Sequence, residues 1–169
     1  MTERWAGASP KVVRMHVPSR DLAPDDMELI DFARQIVNAN TDGVDGVYTM
    51  GAAVRGADGK MHGGINLYHF TDGPCAELVA LGHARASGAR ELSTIVAVGN
   101  FGRGPVGPCR RDRQVLFDYH PDIRVILPTA EGIKSVRIKD LMPFAAVWTV
   151  ESGTQQFDPA IFEQPPDSR

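Results

Sequence analysis

Cysteine is scarce in this chain of 169 residues: Cys75 and Cys109 are the only two. A disulfide framework is thereby excluded, and the choices left are one bridge, two buried thiols or two ligands. Long hydrophobic runs are missing too. No segment approaches the roughly 18 apolar residues that a membrane helix needs, and the opening "MTERWAGASPKVVRMHVPSRDLAPDD" holds no uninterrupted apolar stretch of the secretory kind. The expectation is a soluble, cytoplasmic protein with no membrane partner. Nor is there an excess of basic charge. Lys and Arg number 18 against 21 Asp and Glu, a formal net charge of −3, which cannot supply the broad positive surface that neutralises a nucleic-acid backbone. Nucleic acid is therefore a poor partner. Internal repeats are also lacking. What is present is 43% hydrophobic residues, enough to close one core and too short a chain for two comfortable domains.

Residues 1–23 mix Pro, Arg, Ser and scattered apolar residues without periodicity and read as an N-terminal arm. Asp25 and Asp26 then precede Leu29, Ile30, Ala33, Ile36 and Val37 at helical spacing, which predicts a first helix over about 25–39. "VYTMGAAVRGADGKMHGGINLYHF" predicts two strands around an Ala-Asp-Gly-Lys turn, because Asp-Gly supplies the positive φ angles of a tight hairpin. A second helix is expected from Pro74 to Ser87, with Pro in its first turn and Gly88 beyond its end. "LSTIVAVGN" suits a buried strand. "PCRRDRQVLFDY" opens a third helix, "IRVILP" and "KSVRI" read as short strands, and "IKDLMP" as one more helical turn. The order predicts an α/β domain over 24–152, a mixed sheet with helices packed on it, followed by a tail over 153–169.

Both cysteines stand at helix starts, in "GPCAE" and "GPCRRD". A helix N-terminus carries unpaired N–H groups and partial positive charge, which favours thiolate and lowers a cysteine pKa. Cys109 and Asp112 are three residues apart and share a helix face. If the two helices start side by side, Cys75, Cys109 and Asp112 converge and leave a fourth tetrahedral position open, the mark of a catalytic rather than a structural zinc site. Glu77 would then stand beside the open position, able to carry a proton from water to a leaving group. Against this, two lone cysteines are ordinarily buried small hydrophobes, a Glu in a first helical turn is often only a partner of the dipole, and His69 reads as a hydrogen-bonded structural histidine.

The pattern resembles the cytidine deaminase family, whose signature is Cys or His followed by Ala-Glu and then Pro-Cys-x-x-Cys on the next helix. Within it the blasticidin-S deaminase branch is most similar, through "NLYHFTDGPCAELVALG", "IVAVGN", "PCRRDRQVL", "DYHP", "DLMP" and "VW". The resemblance implies an α/β/α sandwich, a zinc cofactor, hydrolytic removal of the exocyclic amine of a cytosine-type ring, and a homotetramer whose neighbouring subunits complete each other's pockets. It implies Cys75 and Cys109 as zinc ligands and Glu77 as the catalytic proton shuttle, with Thr49, Asn66, Arg103 and Trp148 as contacts to a nucleoside-like substrate. The chain has Tyr68 where the nucleoside form carries a ribose-binding glutamate, which weighs against simple cytidine or deoxycytidine salvage, the alternative within the class. Ala146 stands where a tyrosine is expected.

Asp112 departs from the signature by taking the place of the third cysteine. A carboxylate is an accepted zinc ligand, with a bond of roughly 2.0–2.2 Å against about 2.3 Å for sulfur. Being harder, it holds the metal less tightly and leaves it a stronger Lewis acid. One of Arg110, Arg111 and Arg113 could instead capture Asp112 in a salt bridge and leave two good ligands. The reading from a different class follows: a catalytically silent, metal-free member that binds a ligand or assembles.

Overall fold

A computed structural model describes residues 17–148 and 155–156. The expected arm up to residue 16 and the expected tail, apart from 155–156, lie outside the described residues. In chain order the elements are β1 (Ser19–Arg20), α1 (Pro24–Asn40), β2 (Met50–Gly56), β3 (Met61–Ile65), α2 (Ala76–Ala86) and β4 (Leu92–Gly99). There follow β5 (Pro105–Val106), α3 (Arg110–Tyr119), β6 (Arg124–Thr129), β7 (Gly132–Arg137), a 3-10 turn (Ile138–Leu141), β8 (Val147–Trp148) and β9 (Gln155–Gln156).

The strands form one mixed sheet in the order β1-β7-β6-β4-β2-β3, with β5 added to β4 and a separate β8–β9 pair. β4 and β6 run parallel, joined through α3, and the other pairings are antiparallel. Alternation along the central strands sorts side chains to two faces. Ala53, Val96, Val98 and Ile126 meet Leu29, Ile30, Ala33 and Val37 of α1 on one face. Ala52, Val54, Ile95, Ala97 and Val125 meet Ala76, Ala80 and Ala84 of α2 with Leu116 and Phe117 of α3 on the other. The result is the expected three-layer α/β/α sandwich.

α2 lies unusually close to the sheet. It presents alanines inward, each fully buried, and β3 answers with Gly64, where a Cβ would stand 2.5 Å from Ala80 N and 2.7 Å from Ala76 O. Backbone therefore meets backbone, and the start of α2 is fixed against the hairpin. The predicted Ala57–Lys60 turn forms, with Gly59 at φ +83. α1 opens as its acidic start dictates: the Asp26 carboxylate accepts the Ala23 N–H at 2.8 Å and Arg20 at 2.7 Å.

Three differences from the sequence reading have physical reasons. The last residues of the expected arm are sheet, because Ser19 and Arg20 pair with Val136 and Ser135. Gln155 and Gln156 of the expected tail pair with β8. α2 and α3 begin later than their prolines, since Cys75 and Cys109 are extended N-cap residues (ψ 160 and 170) and not first-turn residues.

Candidate active site

The hydrogen-bonded ends of β2 and β3 and the starts of α2 and α3 enclose a cleft of about 380 Å³. Cys75, Glu77, Cys109, Asp112 and Asn66 all line it, so five of the eight residues singled out in the sequence come together there. As N-cap residues of neighbouring helices, the two cysteines bring their Sγ atoms to 3.8 Å. Asp112 follows on the first turn of α3. One ligand atom from each of Cys75, Cys109 and Asp112 lies within 4.8 Å of the others.

Asp112 is fully buried, and among the described residues neither of its carboxylate oxygens has a hydrogen-bond partner of ordinary geometry; its polar neighbours are the Cys75 thiol and the Glu77 carboxyl. A buried carboxylate without a partner is costly unless a cation answers it. Glu77, 6% exposed, stands beside it. Burial first, and then the negative charge of Asp112, raise the Glu77 carboxyl from its ordinary 4.5 to about 7. Burial and then the same carboxylate push the Cys75 thiol up to about 12. This reverses the sequence expectation of a lowered thiol pKa: crowded anions and lost solvent outweigh the helix N-terminus. A divalent cation among these groups inverts that logic and favours the thiolates. The donor set fits zinc. A tetrahedron with bonds of roughly 2.3 Å to sulfur has an S–S edge of about 3.8 Å, the spacing found here.

None of the three arginines captures Asp112. Arg111 donates to Asp72 Oδ2 at 2.6 Å and to Gly73 O at 3.0 Å. Arg113 Nε donates to Pro108 O at 2.9 Å, and Arg110 is exposed. The salt-bridge alternative for Asp112 is thereby overturned. His69 is hydrogen-bonded as expected, its Nδ1 accepting the Thr71 N–H at 3.1 Å.

The remaining expected contacts are arranged as follows. Asn66 uses its amide to shape the cleft wall, accepting Met50 N–H at 3.0 Å and donating to Val47 O at 2.7 Å. Thr49 and Arg103 do not line the cleft: the Arg103 Nη2 donates to Thr49 O at 3.3 Å and to Asn100 Oδ1. Trp148 belongs to β8, which packs beside α3, and Gln114 Nε2 reaches the carbonyl of Ala146 at 3.1 Å. Sequence reasoning missed Met50, Asp72 and Val106, which also line the cleft. Asp72 carried a signal, since the Thr-Asp-Gly turn immediately precedes the Cys75 motif.

The chain, a three-layer α/β/α fold with two cysteines at adjacent helix starts and a buried carboxylate pair beside them, is a hydrolase of the deaminase type and belongs to the cytidine deaminase family. No protein-family model matches it. It is 30% identical to the cytidine deaminase of Burkholderia pseudomallei, with a TM-score of 0.58 over 70% of this chain and 97% of that one. Blasticidin-S deaminase from Bacillus cereus is 26% identical over 136 residues, 73% of this chain and 93% of that protein. The fold is shared as well with the cytidine deaminase of Mycobacterium tuberculosis, at 22% identity and a TM-score of 0.57, covering 71% of this chain and 96% of that one.

Proposed function

We propose that the chain is a zinc-dependent hydrolytic deaminase that releases the exocyclic amine of a cytosine-type ring as ammonia, in the manner of the blasticidin-S deaminase branch. It is a hydrolase acting on C–N bonds. The observation that carries the reading is the buried Asp112 carboxylate, unpartnered and facing two cysteines 3.8 Å apart, with the buried Glu77 at its side. Cys75, Cys109 and Asp112 would hold zinc, which when bound supplies the Lewis acidity that makes a water nucleophilic at neutral pH.

The protein's own groups do the rest. The Glu77 carboxylate takes a proton from the attacking water and delivers it to the ring nitrogen N3 as oxygen adds to C4. A second proton passes through the same carboxyl to the amine nitrogen, the C4–N bond breaks, and ammonia leaves with the ring carbonyl in its place. Burial keeps Glu77 protonatable near neutral pH, which suits a group that must both accept and give a proton. Asn66 holds the wall of the cleft, and Thr49, Arg103 and Trp148 are the further substrate contacts proposed, Arg103 being tied to Thr49 through its carbonyl. Exposed apolar side chains, Tyr68 at the cleft with Phe70 and Phe144, each 89% exposed, favour a homotetramer in which neighbouring copies cover them. No helix among the described residues is long and apolar enough to cross a membrane, which is compatible with a cytoplasmic enzyme.

Ammonia release from cytosine, cytidine, deoxycytidine and blasticidin S, by protein loaded with one zinc per chain, tests the proposal. Blasticidin S is expected to be turned over better than cytidine. Glu77→Gln keeps fold and zinc and loses roughly 10²–10⁴-fold in turnover, the usual worth of general acid–base assistance. Protein that cannot be loaded with zinc, or a glutamine variant that releases ammonia undiminished, defeats the mechanism. Efficient cytidine turnover with none of blasticidin S leaves the deaminase and refutes the branch.

A further inference from the structure

The loop that leads into α2 turns back at His69, whose carbonyl accepts the N–H groups of Asp72 at 3.1 Å and Gly73 at 3.4 Å. Asp72 stands there at φ +74, a left-handed conformation that glycine adopts freely and other residues only at a cost. Its carboxylate reaches Arg111 in the first turn of α3. Arg111 Nη1 donates to Asp72 Oδ2 at 2.6 Å and to Asp72 O at 3.3 Å, while Nη2 donates to Gly73 O at 3.0 Å. The same Nη2 lies 3.9 Å from Cys75 Sγ. A single guanidinium therefore joins the loop that ends in Cys75 to the helix that begins after Cys109.

We infer that Asp72 is a positioning residue for the metal centre: its ion pair with Arg111 latches the 69–73 loop to the start of α3 and so maintains the spacing of the two cysteine sulfurs. The inference rests on the reading of Cys75, Cys109 and Asp112 as metal ligands and adds to it a residue at the cleft wall outside that ligand set. Stability does not account for an aspartate here. Its carboxylate is 82% exposed, where an ion pair contributes little to folding, and glycine would relieve the turn. What the aspartate adds is the charged and shortest of the three contacts that fix Arg111, the other two being to the Asp72 and Gly73 carbonyls. Two thiolates and a carboxylate exceed the charge of a divalent ion by one, and a cation fixed beside Cys75 offsets that excess. Groups that orient metal ligands from outside commonly change metal affinity by 10–100-fold when removed.

The test compares zinc-loaded wild type, Asp72→Asn and Asp72→Gly for the rate of zinc release to a chelating dye. Asparagine tolerates the left-handed turn as aspartate does, so it isolates the charge. Both variants are expected to release zinc about tenfold faster, while the melting temperature of metal-free Asp72→Gly stays within about 3 °C of wild type or rises. Release at the wild-type rate in Asp72→Asn overturns the latch, and so does a fast release seen only in Asp72→Gly, which would place the effect in the turn. Amide hydrogen exchange on the metal-free protein gives a readout independent of zinc. In Asp72→Asn and Arg111→Met the 69–73 amides should exchange faster while those of 114–119 do not change, and an unchanged loop refutes the latch. Wild type that takes up no zinc would refute the ligand reading and with it the metal role of Asp72, whatever the loop does.

Discussion

Replacing Asp112 by asparagine should stabilise the metal-free protein and remove its response to zinc, two effects of opposite sign from one change. The side chain is fully buried and, among the described residues, neither oxygen has a hydrogen-bond partner. A buried charge without a partner costs several kcal/mol, whereas an unsatisfied neutral amide costs about 1–3 kcal/mol. The difference favours asparagine by about 2 kcal/mol, a rise of roughly 4–8 °C in the melting temperature of a domain this size. Zinc acts the other way. At a free concentration a hundred times its Kd it would stabilise wild type by about 2.7 kcal/mol, and the variant, short of one anionic ligand, should gain much less. Thermal unfolding with a chelator and with buffered zinc measures all four states. The reasoning fails if metal-free Asp112→Asn melts at or below metal-free wild type, because the carboxylate then has a partner that compensates its charge. It fails equally if zinc raises both proteins alike. Asp112→Cys supplies a complementary arm: a third thiolate should slow zinc loss to a chelator, and equal or faster loss means that Asp112 is not a ligand.

Gly64→Ala should destabilise the fold by about 1–3 kcal/mol, the usual cost of overpacking, because the new methyl meets Ala80 N and Ala76 O of α2. Since that helix start carries Cys75, zinc affinity should fall too, and calorimetry with metal titration would expose a variant that loses neither. Burial, and then the charge of Arg85, hold His120 below the ordinary histidine range. The unfolded chain thus binds that proton first, so stability is complete above pH 6.5 and declines as pH drops through and below that value. His120→Asn should flatten the decline between pH 7.5 and 5 in urea unfolding, and a slope identical to wild type would show that His120 does not contribute.

Much of this was legible because local rules and tertiary structure agree. The Asp-Gly turn, the apolar stripe of α1 and the prolines before α2 and α3 each act within a few residues, and each produced the expected element. What eluded the sequence depends on partners distant in the chain. β1 is sheet only because β7 runs beside it, and β5 is two residues joined to β4, so neither has a period to detect. The direction of the Cys75 shift was misjudged for the same reason. A helix start is visible in sequence, but the burial and the Asp112 carboxylate that outweigh it are products of packing.

Asp112 shows most clearly where local inference stops. Its spacing from Cys109 fixes which face of α3 it occupies, and that much is read directly from the chain. Whether it faces a metal or an arginine is another matter, since three arginines flank it in sequence. The decision is made at Asp72, 39 residues before Arg111, where its carboxylate and the neighbouring carbonyls take up that arginine. Arg113 turns to Pro108, and among the described residues the carboxylate oxygens are left without a hydrogen-bond partner. A salt bridge would have made Asp112 a structural residue; its absence leaves a buried anion that fits a metal. On the proposed reading, aspartate in place of the third cysteine would alter the ligand set without discarding it, because the arginines that accompany it are held elsewhere.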